Sequence, residues 1–181
     1  QGESMTARTI MIGRDIERSL DRISLEIVER NHGVTGLSII GIHTGGVFLA
    51  QRIKQKIEER EETTLPSGNV DITLYRDDWS LISQNPIVKK SDIGFLLEDK
   101  RVILVDDVVF TGRTIRAAMD AIMDYGRPLS IQLAVLVDRG GRELPIQPDY
   151  IGMSVSPAPN ERVDVLLSEK DDRDAVVLSK R

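Results

Sequence analysis

The chain has no cysteine, which removes disulfides, thiolate metal ligands and a cysteine nucleophile. Its two histidines, His32 and His43, are too few for an imidazole-rich metal cage. A cationic excess is also missing: 24 Lys and Arg stand against 29 Asp and Glu, a net charge of −5. A global basic field for nucleic acid is thereby excluded, so any anionic ligand must be met by local donors. No apolar run approaches the roughly 20 residues that span a bilayer. The first residues lack the apolar core of a signal peptide, so a cytoplasmic location with no membrane partner is expected. Neither a Gly-Lys-Ser/Thr phosphate loop nor a Gly-x-Gly-x-x-Gly dinucleotide turn occurs.

What remains is 181 residues, 40% apolar and 29% charged, the composition of one ordinary folded domain. Residues 5–181 are read as that domain. Gln1 to Ser4 precede the first methionine and are read as a tag remnant. Residues 14–31 carry Ile16, Leu20, Ile23, Ile27 and Val28 at helical spacing, with Arg14, Arg18 and Arg22 on another face. Residues 37–43 are a short apolar run, hence a buried strand, broken by Thr44-Gly45-Gly46. Helical character returns over 47–60, and a β-branched alternation over 70–76 predicts a strand. Residues 77–100 have no period, and a loop of that length is usually functional. Residues 102–107 read as a buried strand stopping on two acids, residues 113–125 as a helix, and 131–137 as a further buried strand. Short strands follow near 150–155 and 162–167. Apolar strands alternating with helices predict an α/β fold with a parallel sheet covered on both faces. Ligands of such sheets bind outside the carboxyl ends of the strands.

The most informative segment runs from Val102 to Thr114. A strand delivers Asp106 and Asp107 to the open end of the sheet, and Thr111-Gly112-Arg113-Thr114 then begins a helix. Hydroxyls, a permissive glycine and unpaired backbone N–H groups at a helix start form an anion pocket. Singly, an acid pair is a turn and a Thr-Gly is a cap. Together at this spacing they suit a ligand with both phosphate and hydroxyls, as a sugar phosphate has.

This segment resembles the phosphoribosyl pyrophosphate (PRPP) loop of type I phosphoribosyltransferases. Asp71-Ile72-Thr73-Leu74-Tyr75-Arg76-Asp77-Asp78, Gly126-Arg127-Pro128, Gln132 to Gly140 and Arg142-Glu143-Leu144-Pro145-Ile146 are similar to the PyrR family. PyrR proteins are pyrimidine-operon attenuation regulators that also act as uracil phosphoribosyltransferases. The likeness runs from about residue 12 to 153 and is weakest over 79–98. It implies a parallel-sheet phosphoribosyltransferase fold with helices on both faces and a small hood. It also implies conversion of uracil and PRPP to UMP and pyrophosphate, with Mg²⁺ carried by PRPP and not held directly by protein ligands. By the same resemblance Asp106 and Asp107 meet the ribose hydroxyls, and Thr111, Gly112, Arg113 and Thr114 the 5′-phosphate. Thr44, Gly45 and Gly46 match the pyrophosphate loop, Val137 and Asp138 the base position, and Arg76 a residue reaching the pyrophosphate. The plain alternative for Arg76 is a surface pair with Asp77 or Asp78. His43 receives no catalytic role. The family also implies a homo-oligomer and binding to pyrimidine-operon leader RNA, for which Arg18, Arg22, Arg127, Arg139 and Arg142 are the candidate contacts. Their plain alternative is a salt-bridged surface.

The sequence departs from the family at informative places. The usual Thr-Arg-Gly is Thr44-Gly45-Gly46, so one cation is missing near the pyrophosphate; Gly45→Arg is expected to raise activity if that cation matters and to leave it unchanged if the backbone donors suffice. The usual Arg-Gly-His-Arg is Arg139-Gly140-Gly141-Arg142, a usual lysine is Met153, and usual Arg, Thr and His positions on the first helix are Glu17, Asp21 and Leu25. Each change removes a donor or adds negative charge where RNA phosphates would need neutralising. Two other readings stay open: an RNA-binding attenuator sensing UMP or UTP with weak or no catalysis, and a purine phosphoribosyltransferase sharing the PRPP loop.

Overall fold

The computed structural model describes residues 7–72 and 91–181. Its centre is a five-stranded sheet in the order β3-β2-β4-β5-β6, every neighbouring pair parallel. The strands are β2 (Leu37–Ile42), β3 (Ser67–Val70), β4 (Arg101–Val109), β5 (Ser130–Asp138) and β6 (Tyr150–Ser154). All six residues of β2 are buried, as a strand covered on both faces requires.

Two helices, α1 (Gly13–Arg30) and α2 (Gly45–Glu61), cover one face. Ile16, Leu20, Ile23 and Ile27 of α1 and Leu49, Ile53 and Ile57 of α2 pack with Ile39, Ile103 and Val105 of the sheet. Helix α3 (Arg113–Met123) covers the other face, where Ile115, Ala118 and Ile122 meet Ile40, Leu104 and Val135. The alternation of Ile39 and Ile40 between these two clusters is the period-two geometry of a strand. At Gly41 helix α2 comes so close that a Cβ would lie 2.6 Å from the Val47 Cα. The Asp15 carboxylate accepts the Ile12 N–H at 3.0 Å and closes the start of α1.

A second, antiparallel sheet has the order β1-β8-β7, from β1 (Arg8–Ile12), β7 (Glu161–Leu166) and β8 (Ala175–Lys180). This small sheet is the hood. Met11, Val165 and Val176 share the first core cluster with α1 and α2. Arg52 of α2, only 15% exposed, fastens the hood from outside. It donates to Glu17 of α1 at 3.0 Å, to both oxygens of Asp174 at 2.8 and 2.9 Å, and to Glu169. These hydrogen bonds hold the Asp174 and Glu169 carboxyls below the usual range and raise the guanidinium further.

Three expectations are corrected. The strand expected over 70–76 is β3, Ser67–Val70, and ends where the expectation began; residues 73–76 lie outside the described residues. Ser67-Gly68-Asn69 has little strand character, and pairing with β2 places it there, with Asp92 hydrogen-bonded to Asn69 on the other side. β4 does not stop on its acids but continues through Val109, paired with β5 as far as Asp138. Helix α2 begins at Gly45 and not at 47, so the Gly45-Gly46 pair that follows the end of β2 also opens the helix. No helix among the described residues is long and apolar enough to cross a membrane.

Candidate active site

Three neighbouring parallel strands, β2, β4 and β5, bring their carboxyl ends to one edge. After β2, Thr44 is exposed and Gly45 and Gly46 are buried in the first turn of α2. A Cβ on Gly46 would run into the Val105 carbonyl, so this helix start lies directly on β4. A Cβ on Gly45 would lie 2.6 Å from the Asp107 Oδ2, 3.0 Å from its Cγ and 3.2 Å from its Cβ. Any side chain at 45 therefore displaces Asp107. Gly45→Arg would thus bring a steric load on Asp107 along with its charge.

Asp106 is 7% exposed and accepts the Asp107 N–H at 2.8 Å; Asp107 accepts the Val108 N–H at 2.7 Å. Burial, and after it the neighbouring Asp107 charge, push the Asp106 carboxyl well above the ordinary carboxylate range. Next along the chain, the Thr111 Oγ1 accepts the Arg113 N–H at 3.2 Å. Gly112 adopts φ +95°, a left-handed conformation that suits glycine, immediately before α3. Thr114 is exposed in the first helical turn. The Arg113 guanidinium pairs with Glu143 at 2.7 Å.

At the end of β5, Val137 is buried and Asp138 half-buried. Asp138 accepts the Arg142 Nη2 at 2.8 Å and the Gly140 N–H at 2.9 Å. Burial pushes this carboxyl up, but these two donors outweigh it and leave it below its ordinary value. The Asp138 carbonyl accepts the Val155 N–H, and the Arg139 N–H goes to the Val109 carbonyl, so the backbone at the strand end is already paired. Arg142, 12% exposed, also donates to the carbonyls of Phe110 and Ile146 at 2.9 and 2.8 Å. The Glu143 and Leu144 N–H groups both donate to the Thr111 carbonyl. The segment after β5 is thus fastened to the turn after β4, tying the 137–138 end to residues 111–114.

Among the arginines expected at an RNA surface, Arg142 is engaged as above, and Arg22 donates to the Ile151 and Gly152 carbonyls and pairs with Glu26. Arg139 lies with its guanidinium carbon 4.1 Å from the centre of the Phe110 ring. Arg18 and Arg127 are exposed. Arg76 falls outside the described residues. The sequence reading passed over Phe110, which is 42% exposed; an aromatic between a strand's acids and a Thr-Gly turn was the available signal. It also passed over the bracket made by Arg142, which no local pattern announces.

A strand-end acid pair beside two glycine-bearing helix starts agrees with the arrangement expected of a phosphoribosyltransferase, and residues 7–168 match the family described as phosphoribosyl transferase domain. The hypoxanthine phosphoribosyltransferase of Trypanosoma cruzi shares the fold at a TM-score of 0.71 and 16% identity, covering 96% of each chain. The HGPRT-ase of Leishmania tarentolae, solved in complex with GMP, does so at 0.71 and 15%, covering 98% of each. Sequence relatives narrow the assignment. The bifunctional protein PyrR of Geobacter sulfurreducens is 58% identical over 165 residues, 91% of this chain and 93% of that protein. That of Deinococcus radiodurans is 54% identical over 170 residues, 94% and 93% respectively. The chain belongs to the PyrR family.

Proposed function

We propose that the chain transfers the phosphoribosyl group of PRPP to uracil. The N1 nitrogen of uracil forms a bond to C1 of the ribose, the bond from C1 to the pyrophosphate oxygen breaks, and the N1 proton is released, giving UMP and pyrophosphate. The observation that carries this reading is the placing of Asp106 and Asp107 between the Gly45-Gly46 helix start and the 111–114 turn. Asp106 and Asp107 take the ribose hydroxyls. The N–H groups and hydroxyls of Thr111 to Thr114 take the 5′-phosphate, and those of Thr44 to Gly46 take the pyrophosphate. Val137 and Asp138 border the base. Holding the ring and both anions in one geometry lowers the entropic barrier to attack.

The donor set fits Mg²⁺ delivered with PRPP, because carboxylate oxygens beside the ribose position would accept hydrogen bonds from the waters that such a hard cation keeps. The Asp107 Oδ2 faces the Gly45 position and would accept from the waters of that cation. When bound, Mg²⁺ supplies charge neutralisation for the departing pyrophosphate. The test is consumption of PRPP and Mg²⁺ with a panel of bases. UMP formation from uracil is expected; turnover of hypoxanthine or guanine with uracil untouched would replace this reading by the purine one.

A second reading, regulation through pyrimidine-operon leader RNA, rests on the name bifunctional borne by the relatives and on exposed Arg18 and Arg127. The engagement of Arg22, Arg139 and Arg142 within the chain weighs against tight RNA binding. Equal affinity for a leader hairpin and a scrambled one would remove it.

A further inference from the structure

Phe110 stands at the open edge of the sheet, after the last residue of β4 and before the 111–114 turn. It is 42% exposed, so one part of the ring is open to a ligand at that edge. Its orientation is fixed on several sides. The Arg139 guanidinium lies over one face, 4.1 Å from the centroid, with its buried Nε lacking a hydrogen-bond partner. That nitrogen is held by the ring and not by a polar group. Gly141, at φ +79°, abuts the ring edge so closely that a Cβ there would lie 2.5 Å from Cε2 and 3.0 Å from Cδ2. The Phe110 carbonyl is bound by Arg142, the residue that also holds Asp138. The ring is therefore built into the same frame as the 137–138 end of β5.

Building on the uracil reading, we propose that Phe110 is the apolar wall of the base subsite and favours a pyrimidine over a purine there. Uracil carries its polar groups at O2, N3 and O4, while its C5–C6 edge has only C–H groups and is served by an apolar wall. A purine in the same place turns its imidazole ring toward that wall. Its N7 acceptor is then left facing the phenyl group without a donor. An unpaired buried acceptor costs more than a lost apolar contact returns. Arg139 and Gly141 are positioning residues for the ring.

Phe110→Ala, Phe110→Asn and Gly141→Ala test this, with folding checked by thermal melting. Phe110→Ala is expected to raise the KM for uracil and the Kd for UMP about tenfold, the equivalent of about 1.4 kcal/mol, with the KM for PRPP unchanged. Gly141→Ala, which moves the ring without altering it, shifts the same two constants in the same direction. Phe110→Asn, which offers N7 a donor, raises turnover of hypoxanthine or guanine relative to uracil. Phe110→Leu keeps an apolar group and should hold the uracil KM near wild type, supplying a reading should the alanine variant fail to fold. Wild-type uracil and UMP constants in folded Phe110→Ala, or loss in PRPP KM alone, would overturn the wall and leave the transfer reading standing. A wild-type protein that neither binds UMP nor consumes uracil overturns both.

Discussion

Replacing Gly45 by alanine adds one methyl group, and its consequence is worked from three distances. The new carbon would sit 2.6, 3.0 and 3.2 Å from the Oδ2, Cγ and Cβ of Asp107. Ordinary contact begins near 3.4 Å, so the whole side chain must move, not its tip alone. Turning Asp107 away breaks its acceptance of the Val108 N–H at 2.7 Å. A hydrogen bond to a charged group is worth about 1.5–3 kcal/mol; staying put in a distorted rotamer costs about 0.5–1.5 kcal/mol. Taking the cheaper response as the lower bound, kcat/KM for PRPP should fall roughly 2- to 160-fold, at 1.36 kcal/mol per factor of ten. The assay is steady-state kinetics with PRPP varied at saturating uracil, joined to calorimetric binding of PRPP with Mg²⁺. The KM for uracil should stay within about twofold, since the base borders a different strand end. Gly45→Arg carries the same steric load plus a guanidinium, so the ratio of Arg to Ala variants, not of Arg to wild type, reports the missing charge. Wild-type kcat/KM for PRPP in Gly45→Ala would refute the reasoning, because Asp107 would then be free to move without consequence.

Three further outcomes follow from the same geometry. Asp106→Asn keeps an acceptor for the Asp107 N–H but removes a carboxylate whose ionisation burial opposes. It should abolish most activity yet raise Tm at neutral pH by roughly 2–4 °C, about 1 kcal/mol. Because the folded Asp106 holds its proton above the ordinary range, wild type loses stability as pH rises through that window, and the gain should vanish near pH 4; a gain independent of pH would contradict this. Arg52→Ala leaves Asp174 and Glu169 without their donor and should lower stability by about 1–3 kcal/mol, discounted for their partial exposure. Their depressed carboxyls stabilise the fold above the unfolded carboxylate range and lose that effect as pH falls through the folded values. Melting curves from pH 7 to 3 should therefore show a flatter acid limb in the variant, and an unchanged limb would remove the assignment. Gly41→Ala places a Cβ 2.6 Å from the Val47 Cα and 2.7 Å from the Gly46 carbonyl oxygen. Backbone cannot rotate aside, so urea denaturation should show a loss of about 1–3 kcal/mol; wild-type stability would mean that α2 sits farther from β2.

How much of this was legible in the sequence depended on whether the signal was local. The run from Leu37 to Ile42, the stripe Ile16, Leu20, Ile23, Ile27 and the series Val102 to Val105 announce their elements because burial repeats at the period of the element. The acid pair and the Thr-Gly turn were legible as chemistry because strand, turn and helix follow one another in the chain. β1 and β8 were not foreseen, since each hides its apolar residues only by pairing with a strand at the other end of the molecule. The fates of Arg22 and Arg142 were hidden for a related reason. A guanidinium in sequence looks the same whether it faces solvent or reaches carbonyls, as Arg142 does at Phe110 and Ile146. Gly45 showed a missing charge to the sequence, but only the structure shows that its missing side chain makes room for Asp107.

The pairing of β1 with β8 also fixes an order of events during synthesis. Roughly 160 residues separate the two strands, which at 5–20 residues per second is roughly 10–30 s of translation. Through that interval Arg8–Ile12 leaves the ribosome without its partner, while every strand of the parallel sheet is completed before Ala175 is made. The five parallel strands can therefore pair before β8 exists, and the antiparallel sheet is completed only once Ala175–Lys180 has emerged.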